Sequence, residues 1–127
     1  MLMPHWRRST IGLGAACFVL LMLCGYLAAR WTSLVVHTAF AEDQIRVFAD
    51  AANRAARAEP GEAADSLAYV IDYYPSGTKQ ATGSRLDALV ETARDSAILS
   101  IIRSLKAKTG ENHGEDPKVW VKKYGTK

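Results

Sequence analysis

The first forty-one residues contain no aspartate or glutamate, and residues 42–127 contain no cysteine. Without cysteine, the C-terminal part has neither a disulfide staple nor a thiolate metal site. The two cysteines present, Cys17 and Cys24, stand seven apart. That is about 10 Å along a helix, too far for them to bond each other. They read as small apolar packing residues. Neither fits a lipidation box, because Cys24 follows Leu23 and Cys17 has Gly14 at minus three. A phosphate loop is also missing: Gly77-Thr78-Lys79 lacks the G-x-x-x-x-G-K-[ST] pattern and the strand before it, and reads as a surface turn. Charge is absent altogether from Ile11 to Ala29. As a helix this run rises ~28 Å, close to the ~30 Å of bilayer hydrocarbon.

That run organises the rest. Arg7 and Arg8 precede it, Arg30 follows it, and Trp6 and Trp31 bracket it at interface positions. The flanking charge predicts residues 1–9 in the cytoplasm, a transmembrane helix over 10–31, and the remainder outside in the periplasm or extracellular space. The run exceeds a usual secretory h-region, which favours a retained anchor. Ala39-Phe40-Ala41 before Glu42 is a cleavage pattern, so a secreted body cut after Ala41 is the alternative. Twelve residues separate the run from that site, farther than processing prefers. The bilayer is thus the expected partner. Small-xxx-small pairs, Gly12 with Ala16 and Gly25 with Ala29, permit self-association. Nucleic acid is not expected as a partner. Three arginines flank the anchor, and the remaining thirteen basic residues balance thirteen acids after position 41, so the pI of 9.0 reflects the anchor.

The body reads as helical throughout, which makes the fold class all-α: one transmembrane helix, then a small helical hairpin or bundle with a short C-terminal capping helix. A juxtamembrane amphipathic helix is expected within 32–60, with Ile45, Phe48, Ala52, Ala55 and Ala56 as its apolar stripe. It either continues the membrane span or breaks around Thr32-Ser33. Pro60-Gly61 stops it. A hairpin occupies 61–110. Its first helix runs from Glu62 to Tyr74, with Leu67, Val70, Ile71 and Tyr74 inward. Its second starts at Ser84, with Asp87 three residues on, as in a capping box. Leu86, Leu89, Val90, Ala93, Ala97, Ile101 and Leu105 then recur at helical steps. Lys106 and Lys108 suit the negative end of that helix, and Gly110 stops it. In 111–127, Asp116 caps and Pro117 opens a last helix. Its Trp120 and Tyr124 share a face that packs back on the long helix.

Lys108-Thr109-Gly110, Gly114, Asp116-Pro117 and Trp120 together resemble the tail of HEAT-type helical repeat arrays. The specific part covers Thr109 to Tyr124. In those arrays a helix ends in Thr-Gly, a short loop leads to Asp-Pro, and a Trp-bearing helix caps the stack. The resemblance implies a helical hairpin with a capping helix and a binding or scaffolding role. It brings no catalytic residues. This chain departs by placing Lys122-Lys123-Tyr124 where a second tryptophan is usual, and by showing no repeat elsewhere.

Candidate chemistry is thin. His113 lies among Glu111, Glu115 and Asp116, but one histidine in a Gly-containing loop reads as solvated rather than as a metal site. Asp87, Glu91 and Asp95 run along one helix face, where neighbouring bases such as Arg94 make a solvated, charge-mixed surface. Lys122 and Lys123, with Lys118 and Lys127, stand beside Trp120 and Tyr124 as a candidate interaction or capping surface. No cofactor, metal or enzymatic activity is expected. The expected function is a membrane-tethered interaction or scaffolding module for an unidentified protein partner or a second copy.

Overall fold

A computed structural model describes residues 5–73 and 80–126, with side chains from residue 10 onward. Among these residues the chain is all-α: α1 His5–Arg57, α2 Pro60–Asp72, α3 Arg85–Thr109 and α4 Pro117–Tyr124, with no strand. It divides into two compact units, one ending at Val36 and one beginning at His37.

The first unit is the N-terminal part of α1. Every side chain from Thr10 to Val36 is exposed, including Ile11 and Leu21 at 71% each. The segment is long and apolar enough to cross a membrane. α1 does not break at Thr32-Ser33. The Thr32 hydroxyl donates to the Ala28 carbonyl at 2.9 Å, a back-bond that lets a β-branched polar residue sit inside a helix.

In the second unit, the C-terminal part of α1 packs with α2 and α3. Its buried face is Ala41, Gln44, Phe48, Ala51 and Ala55, at three- and four-residue steps. The expected stripe was centred differently: Ile45 is 37% exposed and Ala56 is exposed. Alanines so populate this segment that pattern alone marks its face poorly, and a buried glutamine helps set the true one. α2 begins at Pro60, not after it. A proline at the first helical position loses an N–H that would be unbonded anyway. α2 also ends at Asp72, with Tyr73 already extended. Tyr74 and the turn at 75–79 lie outside the described residues. α2 buries Ala63, Ala64, Leu67 and Val70, and α3 buries Val90, Ala97, Ile101, Ile102 and Leu105. Leu89 of the predicted α3 stripe is instead exposed. Burying each large aliphatic side chain stabilises by about 1.5–3 kcal/mol.

The ends of the helices are closed by specific groups. Ser84 Oγ accepts from the Asp87 N–H at 3.1 Å, and Asp87 accepts from the Gly83 N–H at 2.9 Å, so the pair caps α3 reciprocally. Gly110 takes a left-handed conformation (φ 70°) at the other end, as a glycine readily does. Two α3 cations reach across to other helices. Arg94 donates to the carbonyls of Val70, at 3.1 Å, and of Ile71 in the last turn of α2. Lys108 donates to the carbonyls of Ala55, at 2.9 Å, and of Ala58 at the end of α1. Lys108 thus serves the α1 terminus, beyond its expected place at the end of its own helix.

Replacing Arg94 with methionine keeps the stem but strands these α2 carbonyls. Arg94→Met should destabilise the body by about 1–3 kcal/mol. Arg46→Met, which removes an exposed i,i+4 pair with Glu42, should cost less than about 0.5 kcal/mol. Urea unfolding of the detergent-solubilised chain, followed by near-ultraviolet circular dichroism, compares them. Equal midpoints would refute the capping account.

Candidate functional site

The structure joins some of the singled-out residues and leaves others apart. Trp6, Arg7 and Arg8 lie in the first turns of α1, and their side chains are outside the described ones. Arg30 and Trp31 are exposed on the same helix. Trp120, Tyr124, Lys122 and Lys123 all belong to α4, where they diverge in environment. Trp120 is fully buried, Tyr124 half-buried, and Lys122 and Lys123 exposed.

α4 forms because Asp116 accepts from the Lys118 N–H at 3.0 Å and Pro117 occupies the first helical position. The indole N–H of Trp120 donates to the Gly114 carbonyl at 3.1 Å, so the buried ring leaves no polar atom unpaired. Tyr124 stacks on it with centroids 5.9 Å apart, and His113 meets it edge-on at 5.0 Å. The helix lies mainly along α2 and touches α3 less. The expectation placed it on the long helix. Its tail explains the preference for α2: Thr126 donates to the Asp65 carboxylate through both its N–H, at 3.0 Å, and its hydroxyl. The tail passes beside Gly61, where a Cβ would make ordinary van der Waals contact with Thr126 at 3.4 Å.

Glu111 is the polar hub of this corner. Its carboxylate receives Lys123, the Tyr124 hydroxyl and His113. The Lys123 bond foremost, then those of Tyr124 and His113, lower its pKa from an ordinary 4.5 to about 2. The same carboxylate raises the pKa of Lys123 and of Tyr124. Lys123 therefore acts inside the cap, whereas Lys122 is exposed and has no side-chain partner among the described residues. Among the described residues, no three of His113, Glu111, Glu115 and Asp116 gather as metal ligands. On α3, Asp87 is occupied by its cap and Glu91 pairs with Arg94 at 3.4 Å. The Glu111 hub was not read from the sequence, because two of its three partners, Lys123 and Tyr124, stand twelve and thirteen residues away.

No protein-family model, curated protein or solved structure matches the chain.

Two outcomes follow from this corner. A carboxyl whose folded pKa is depressed stabilises above its ordinary value and loses that contribution as pH falls through the folded value. The hold of Glu111 on α4 should therefore be complete above pH 4.5 and weaken as the pH falls toward about 2. The Trp120 indole N–H resonance in NMR should shift over that window, and Glu111→Gln should remove the shift. An identical titration in both proteins would contradict the assignment. Separately, a Cβ at Gly125 would lie 2.6 Å from the Val121 carbonyl, which accepts the Gly125 N–H at 2.8 Å to close α4. Gly125→Ala should destabilise the cap by about 1 kcal/mol and speed exchange of the Trp120 indole proton. Wild-type exchange would show that the close approach is not needed.

Proposed function

We propose that this protein is a single-pass membrane protein with a cytoplasmic N-terminus. Its helical body stands on the outer side as a non-enzymatic interaction or scaffolding module. The observation that carries the reading is an apolar helix whose side chains from Thr10 to Val36 are all exposed. Such a surface finds its solvent in hydrocarbon. Arg7 and Arg8 before the span, against the single Arg30 after it, favour the orientation. The interaction role draws on a body of packed helices and on the resemblance of the Thr109–Tyr124 segment to the tail of HEAT-type arrays. Fold alone does not set function, so the role is argued from surfaces.

The cleaved, secreted alternative has a structural cost. Ala41 is 3% exposed and lies inside α1, so cutting after it would remove a core residue and sever a helix. Membrane fractionation with intact-mass measurement decides between the two readings. A full-length chain should resist carbonate extraction from membranes, with its C-terminus open to protease added outside. A soluble product beginning at Glu42 would overturn the anchor.

A further inference from the structure

Within the second unit, a groove runs between the C-terminal part of α1 and α2. Its walls include Asp50, Asn53, Arg54 and Arg57 from α1 and Glu62 and Tyr69 from α2. Arg54 and Arg57 stand one turn apart and exposed. Among the described residues neither makes a hydrogen bond or an ion pair through its side chain. This is not for want of a nearby acid. Glu42 and Arg46 pair at 3.4 Å at i,i+4 spacing, whereas Asp50 and Arg54, at the same spacing, do not. Two guanidinium forks, five N–H donors each, are left turned to the groove's surroundings.

The order of charge along the groove says what fits it. Asp50, Arg54 and Arg57 follow one another over about 10 Å of α1. Only two residues, Ala58 and Glu59, separate α1 from α2, which puts Glu62 beside the Arg57 end of the groove. The groove therefore holds two arginines, with Asp50 a turn before them on the α1 wall and Glu62 near the Arg57 end on the α2 wall. A uniformly anionic polymer or lipid surface would satisfy the arginines while being repelled by Asp50 and Glu62. A polypeptide with acidic residues at its centre and basic residues at its ends complements all four. Tyr69, 45% exposed, adds an amphipathic ring for the body of such a segment.

We propose that the α1/α2 groove docks a helical segment of a protein partner carrying two acids one turn apart, held by Arg54 and Arg57, with basic residues beside them toward Asp50 and Glu62. Electrostatic complementarity of this kind chooses the partner and its register more than it adds raw affinity. The proposal rests on the interaction-module reading but not on the membrane anchor.

The test uses the full-length chain in nanodiscs of zwitterionic lipid and fluorescence anisotropy with four probes. These are a labelled Lys–Glu–Glu–Lys helix with its charges one turn apart, its charge inverse, polyglutamate and polyphosphate. The Lys–Glu–Glu–Lys helix should bind about tenfold more tightly than the other three. Arg54→Glu with Arg57→Glu should abolish that preference, and adding Asp50→Lys and Glu62→Lys should transfer it to the inverse helix. Arg54→Lys with Arg57→Lys, which keeps charge at the end of α1, should retain the preference but weaken it. Circular dichroism and nanodisc incorporation report folding and insertion separately. An inserted, folded protein that binds all four probes equally, binds none, or prefers a uniform polyanion overturns the groove and leaves the anchor standing.

Discussion

The body depends on α3 supplying cations to the carbonyl ends of two other helices. A helix leaves its last carbonyls without intrahelical partners, and buried ends need them supplied from elsewhere. At the end of α1, Arg54 and Arg57 make no side-chain hydrogen bond among the described residues, and α2 ends in Val70-Ile71-Asp72, which carry no side-chain donor at neutral pH. Lys108 closes the first end, from the last turn of α3, and Arg94 the second, from nearer the middle of that helix. Apolar burial alone would let α3 slide along its neighbours, since alanine surfaces are smooth. The two capped ends fix its register, because a slip of one turn would strand both sets of carbonyls.

That register then positions α4. With α3 held, Gly110 reverses the chain at a set height, and the loop from Glu111 delivers Asp116-Pro117 to start the last helix. Trp120 fills the space this creates and satisfies its indole on Gly114, while Glu111 gathers Lys123 and Tyr124 from the same helix. Buried apolar area and exposed polar bonds hold α4 together. The burial is the larger part, because Glu111 and its partners are open to solvent and their attraction is screened.

The all-α class and the helix termini could be read from the chain where chemistry punctuates it. Ser84, Gly110 and Asp116-Pro117 each have one local job, and each does it in the structure. Faces were harder. The stripe of α1 was misplaced because Ala41, Ala51 and Ala55 bury little area each, and because Gln44 is buried where pattern reading expects an apolar side chain. Long-range polar contacts left no local trace. Lys108 is fifty or more residues from the carbonyls it meets, and Arg94 more than twenty. Among the candidate site residues, Trp120 and Tyr124 were identified as one aromatic unit, but the division of labour between Lys122 and Lys123 depends on Glu111.

α1 is one helix written in two patterns. From Thr10 to Phe40 every side chain is exposed and the run is mostly apolar; from Ala41 the burial repeats at three and four residues and charges fill the other positions. A helix in water gains nothing by presenting leucine, valine and phenylalanine on all sides, whereas a helix in hydrocarbon loses nothing by it. The change in pattern falls within a single helix and is what the proposed membrane anchor requires of it. After it, the exposed face of α1 is available for charge, and Asp50, Arg54 and Arg57 use it. The same helix that carries the apolar surface thus also forms one wall of the charged groove.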